Sequence, residues 1–205
     1  MAKIDLKAQL KHLYFPSAKE PTIVEVPKMN FLMIDGRGDP NTAPVFQQAI
    51  QVLYSLSYTM KFMLKQEKGG PDSVVMPLEG LWWSDDMGHF AGDTKKDLWQ
   101  WTAMIAQVDF VTPDLIEQAR AELKAKKKDL PGLDLARLEV YDEGKAAQIM
   151  HIGPYSGERP AIARLHDFIK SQGCRLRGKH HEIYMSDPRR VAPEKLKTVI
   201  RQPIE

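Results

Sequence analysis

The feature that most constrains this chain is an element order that occurs twice. From Ile23 the pattern runs strand, strand, glycine turn, long helix, strand, strand, and from Leu138 the same order begins again. In the first copy, Ile23-Val24-Glu25-Val26 and Asn30 to Asp35 are β-rich, and Gly36-Arg37-Gly38-Asp39-Pro40 stops them. Asn41-Thr42 offers a helix cap. From Pro44 to Gln66, Phe46, Ile50, Leu53, Tyr54, Met60, Met63 and Leu64 recur at helical spacing. Ser73 to Trp83 and Leu98 to Ala106 then read as antiparallel strands. In the second copy, Leu138 to Tyr141 and Ala146 to Gly153 are strands. A helix over 159–172 buries Ile162, Leu165, Phe168 and Ile169 and is capped by Gly173. His180 to Met185 and Leu196 to Gln202 close the chain.

Several positions answer one another across the copies: Gly36 and Gly153, Ser84-Asp85 and Ser186-Asp187, Met104 to Gln107 and Val199 to Gln202. The expectation is a single α+β domain, residues 1–205, made of a duplicated strand-helix-strand-strand module with antiparallel sheets. Its repeats span about 22–110 and 137–205, and a bridge over 111–136 holds a helix that Thr112-Pro113 starts. With both long helices on one face, the other face is left as a ligand cleft. Ahead of the first strand, Leu6, Leu10, Leu13 and Tyr14 mark a short amphipathic helix.

Composition narrows the function classes. Twenty-nine basic and 27 acidic residues leave a net charge of +2, which gives no strong field for nucleic acid. The run Lys124 to Lys128 reads as a solvated helix face. One cysteine, Cys174, excludes an internal disulfide and fits a reducing, cytoplasmic setting; just past a helix-ending glycine it reads as a packed thiol. No stretch has the length and apolarity of a membrane span or a signal peptide. His180 and His181 are adjacent on a strand and point apart, and His89, His151 and His166 lack ligand spacing, so neither metal nor cofactor is expected. Ser or Cys acyl chemistry and dinucleotide binding lack their motifs.

Strand parity selects the cleft-facing side chains, because successive residues point to opposite faces. Matching Ser84-Asp85 to Ser186-Asp187 gives one apolar set, Leu81, Trp83, Ile183 and Met185, suited to the face under the helices. The other set is Gly80, Trp82, Glu182 and Tyr184, which puts a carboxylate between aromatic rings. Two readings of Glu182 stand: a strand glutamate paired with Arg189 or Lys179, or a cleft carboxyl whose raised pKa suits acid or base work. Trp82 suits a ligand wall and Trp83 the core.

Leu32 to Gly36, Leu78 to Trp83, His151-Ile152-Gly153-Pro154-Tyr155 and above all Gly178 to Arg190 resemble the stand-alone GyrI-like proteins, over nearly the whole chain. The resemblance implies the duplicated fold, shared with the effector domains of multidrug-sensing regulators, and hydrophobic, often cationic, aromatic ligands. It also implies the activity of the cyclopropanoid cyclopropyl hydrolase branch, in which water opens the strained ring of DNA-alkylating compounds and disarms them. By that resemblance Glu182 is the catalytic carboxylate, Tyr184 or Tyr155 its hydroxyl partner, and Trp82, Trp101 and Tyr58 stack on the ligand beside Gly80. The expected partner is a small hydrophobic or aromatic molecule, with neither nucleic acid nor membrane, and the protein a monomer or homodimer. The alternatives are a multidrug-binding protein that sequesters hydrophobic cations and a modulator of a topoisomerase such as gyrase.

Overall fold

The computed structural model describes residues 3–67, 70–84, 96–126 and 129–205. Asp85, His89 and Lys127-Lys128, which the sequence reading used, lie outside the described residues. Among the described residues the strands are β1 (Thr22–Val26), β2 (Met29–Arg37), β3 (Leu78–Trp83), β4 (Gln100–Gln107), β5 (Arg137–Tyr141), β6 (Gly144–Ile152), β7 (His180–Tyr184) and β8 (Lys197–Pro203). The helices are α1 (Leu6–Gln9), α2 (Lys11–Tyr14), α3 (Pro44–Gln66), α4 (Pro113–Ala125) and α5 (Arg159–Ser171). The fold is α+β with antiparallel strand pairing, and no described helix is long and apolar enough to cross a membrane.

Most of the expected elements are present, and three differ for local reasons. The strand expected from Ser73 starts only at Leu78, because Pro77 brings no N–H to a ladder. The N-terminal helix is split at Leu10 into two single turns, of which α2 alone buries residues, Leu13 and Tyr14. The cap expected from Asn41-Thr42 is absent. Asp39 instead accepts from the Asn41 backbone at 2.9 Å, and α3 opens on Pro44 with no side-chain cap. Thr112 does cap α4, accepting from the Leu115 N–H at 3.2 Å.

The chain forms two compact units that do not follow the sequence halves. One comprises Met1–Leu6, Met29–Met76 and Trp83–Tyr141; the other comprises Lys7–Lys28, Pro77–Trp82 and Asp142–Glu205. In the first unit the strand order is β4-β2-β5. Gly36 lies opposite Trp101 in the β2–β4 pair, and a β-carbon there would sit 2.2 Å from the indole, so only glycine admits the ring. Phe46 of α3 meets that indole edge-on with centroids 4.9 Å apart. Trp101 is only 1% exposed.

In the second unit the order is β1-β6-β8-β7-β3. The first strand of each repeat thus pairs with strands of the other copy, β1 with β6 and β5 with β2. Helix α5 packs Ala161, Leu165 and Ile169 onto Ala147, Ile149, Ile200 and Ile204, and Cys174 packs at the edge of this cluster. Burying such branched side chains contributes about 1.5–3 kcal/mol each. Gly173 follows α5 with φ +71°, the left-handed conformation that ends a helix.

Candidate active site

The register of β7 assigns its side chains to faces. Gly80 pairs with Glu182 and Trp82 with His180 across β3–β7, while Glu182 pairs with Ile200 and Tyr184 with Thr198 across β7–β8. Leu78, Gly80, Trp82, His180, Glu182 and Tyr184 therefore share a face, and the expected parity set holds together. The face itself differs from expectation: Ile200 belongs to the cluster covered by α5, so Glu182 lies on the helix-covered side of this unit. The opposite set, read as wholly apolar, also contains Glu79, His181 and Arg201. Those charges share the face with Leu81 and Ile183.

Glu182 is held from two sides. The Tyr184 hydroxyl donates to Oε2 at 2.8 Å, and His180 Nε2 lies 3.2 Å from Oε1. Of the two alternative partners, Arg189 makes a forked contact to Asp187, with both nitrogens at 3.0 Å. Tyr184 in turn accepts from Trp82 Nε1 at 3.2 Å and meets the ring of Tyr155 edge-on at 5.6 Å. Burial, then the charges of Glu182 and Glu158, push the Tyr184 hydroxyl well above its usual range, so it acts as a donor. Tyr155, on a 3-10 turn before α5, is 39% exposed and forms the outer wall.

Gly80 has a clear local purpose. A β-carbon there would lie 2.7 Å from Trp82 Nε1, so the indole folds back over the glycine. The space expected beside Glu182 is thus occupied by Trp82, which is 3% exposed. Gly80→Ala is expected to displace the indole, break the Trp82–Tyr184 hydrogen bond and lower stability by about 1–3 kcal/mol. Denaturant unfolding with tryptophan fluorescence measures both effects, and unchanged stability and spectrum would contradict this account.

Glu158 is the site residue the sequence reading missed. It follows the turn Tyr155–Gly157 at the entry to α5 and is only 5% exposed. Its pKa is pushed up to about 9, first by burial and then by the charge of Glu182, with Thr198 pulling the other way. The positive end of α5 favours a carboxylate here, but that end effect contributes only about 0.3–1 kcal/mol and loses to burial beside a like charge. The carboxyl that burial lifts is therefore Glu158. The signal was Glu158-Arg159-Pro160, a carboxyl at a helix entry, and strand parity says nothing about residues outside strands. His166 on α5 also approaches the site, its pKa lowered by burial and by His180.

Behind this face lies a buried ionic network. His181 Nδ1 is 2.8 Å from Glu143 and its Nε2 is 3.0 Å from Glu79. Arg201 donates to Glu143, Gln148 and the Leu13 carbonyl at 3.0, 3.0 and 2.8 Å, and Tyr14 donates to Glu79 at 3.2 Å. Two carboxylates face one imidazolium and one guanidinium, so the formal charges balance. Despite burial, Glu143 and Glu79 raise His181 to about 9, while His181 and Arg201 bring Glu143 down to about 2.

The remaining expected site residues, Trp101 and Tyr58, lie in the other unit. Trp101 is enclosed against Gly36 and Phe46. Tyr58 is 48% exposed and stacks on Tyr54, in a groove of about 490 Å³ that also includes Phe62, Glu122 and Lys126. Among the described residues no group of three or more His, Cys, Asp or Glu could hold a metal ion.

A family model for the GyrI-like small molecule binding domain matches residues 19–205. An uncharacterized conserved protein from Listeria innocua is 42% identical and superposes with a TM-score of 0.90, covering 99% of this chain and 100% of its own. Two proteins described as hydrolases, from the same organism, are 40% and 39% identical, with TM-scores of 0.87 and 0.88. They cover 99% and 100% of this chain and the whole of their own. No curated protein matches. By a match over nearly its full length, the chain belongs to the GyrI-like small-molecule-binding family.

Proposed function

We propose that this protein hydrolyses small, flat electrophiles carrying a strained cyclopropane, and that Glu182 is the base that draws a proton from the attacking water. The observation that carries this reading is a carboxylate fixed by Tyr184 and His180 on a strand face walled by Trp82 and Tyr155. The hydrolase description of two relatives about 40% identical over the full chain supports it. Ring opening needs a nucleophile at carbon while negative charge grows on a conjugated carbonyl oxygen. A carboxylate held in one orientation deprotonates water along a fixed line, and aromatic walls keep the flat substrate in register. Because the Tyr184 hydrogen is committed to Glu182, Tyr184 positions the base, and Tyr155 stands where its hydroxyl meets an entering ligand. Trp82 holds Tyr184 in place, with Gly80 admitting its ring. Tyr58, in its exposed groove, offers a stacking face to the same class of compound.

The test incubates the protein with a spirocyclopropane conjugated to a ketone and follows product mass. A ring-opened product one water heavier, formed faster than in the protein-free control, is the expected result. Binding without hydration would overturn the reading in favour of a sequestering protein, for which Glu182 among aromatic rings is a counter-charge to hydrophobic cations.

A further inference from the structure

Resting on that reading, we propose that Glu158 is a second catalytic residue of the site, a general acid paired with Glu182 that delivers a proton to the oxygen on which negative charge develops. Glu158 is buried directly after the turn whose Tyr155 ring packs edge-on against Tyr184, the residue that donates to Glu182. Glu158 Oε1 is sealed from solvent and meets no hydrogen-bond partner among the described residues. A buried carboxylate oxygen in that state would forfeit its solvation with nothing in return, whereas a protonated carboxyl loses far less.

The groups around the pair favour one shared proton. Glu182 and Tyr184 face Glu158 from β7 and Thr198 faces it from β8, and among the described residues no basic side chain is one of the groups acting on it. His180 engages Glu182, with His166 of α5 beside it. Two adjacent carboxyls in such a site do not both ionise, and a pKa of about 9 leaves Glu158 holding its proton at neutral pH.

The atoms balance. Glu182 takes a proton from water as the water oxygen bonds the cyclopropane carbon. The carbon–carbon bond breaks, its electron pair passes through the conjugated system to the carbonyl oxygen, and Glu158 protonates that oxygen. Product differs from substrate by one water. Glu182 is then protonated and Glu158 is a carboxylate, and transfer of that proton from Glu182 to Glu158 restores the starting state. This division of labour also defines the substrate class: a cyclopropane whose opening places an electron pair on an oxygen within reach of Glu158.

The wild-type protein is assayed against pH with the spirocyclopropyl ketone, beside Glu158→Gln and Glu158→Asp. Wild-type kcat is expected to fall on an alkaline limb near pH 9, where Glu158 loses its proton. In Glu158→Gln, kcat should fall by about 10²-fold or more and the alkaline limb should vanish, with ligand affinity kept. Glu158→Asp should restore part of the rate and the limb. Infrared difference spectra supply a readout without substrate: a protonated-carboxyl stretch at neutral pH, lost in Glu158→Gln. Failure of the wild type to turn over would sink the hydrolase reading itself. Wild-type turnover with no alkaline limb, or a Glu158→Gln variant that keeps both rate and limb, would overturn the acid role alone.

Discussion

Glu182→Gln is expected to lower turnover by about 10²–10⁴-fold while leaving ligand affinity within a few-fold of wild type. Glutamine matches glutamate in volume and can still accept from the Tyr184 hydroxyl, which sits 2.8 Å from Oε2 in the native site. It cannot take a proton from water. The pocket is therefore preserved while the base is removed, and the loss appears in kcat rather than KM. The counter-charge reading makes the opposite forecast, weaker binding of cationic ligands and no turnover to lose. A Glu182→Gln protein that hydrates substrate at the wild-type rate would remove Glu182 from the mechanism.

The second large effect concerns the network behind the site. Arg201 is 3% exposed and bonds Glu143, Gln148 and the Leu13 carbonyl. Arg201→Ala would leave Glu143 short of a partner inside the protein, and stripping one member from a buried pair costs about 3–5 kcal/mol. The same change unties Leu13, so residues 7–17 should also become more open to protease. Denaturant unfolding decides the matter, and a loss below about 1 kcal/mol would place the pair among the weak ones.

The network also gives stability a pH signature. His181 is raised to about 9 in the folded state, so its contribution is complete below its unfolded pKa of about 6.5 and is lost as pH rises through 9. Glu143 is lowered to about 2, so its contribution is complete above about 4.5 and is lost as pH falls toward 2. Glu158, raised to about 9, adds a penalty that grows from its unfolded pKa of about 4.5 upward, so unfolding free energy should peak near pH 4.5 and decline on both sides, more steeply above about 6.5 where the His181 loss joins it. A curve still rising between pH 7 and 9 would contradict the assignment for His181.

Much of this was legible in the sequence because the repeat supplied an internal control. Where Ile23 to Glu67 and Leu138 to Gly173 carry the same succession of patterns, each supports the other, and β1 to β8 appear in the expected order. Strand partners were not legible. That β1 pairs with β6 and β5 with β2 depends on contacts far apart in sequence, about which periodicity is silent. At the site, parity found Gly80, Trp82, Glu182 and Tyr184 because all four lie on strands with a period of two. It missed Glu158 because a turn aims that residue, and it missed Glu79, His181 and Arg201 because apolar neighbours gave their face its character. Gly80 was read as leaving space beside Glu182, whereas the glycine makes room for the indole of its own strand.

The location of the reacting carbon tests the central claim most directly. A crystal structure of Glu182→Gln soaked with the unopened spirocyclopropyl ketone should show the cyclopropane over residue 182. The account predicts a water within about 3–3.5 Å of the ring carbon and in contact with the residue 182 side chain, with the carbonyl oxygen turned toward Glu158. Ligand found only in the Tyr54–Tyr58–Phe62 groove, with the Glu182 face empty, would contradict it.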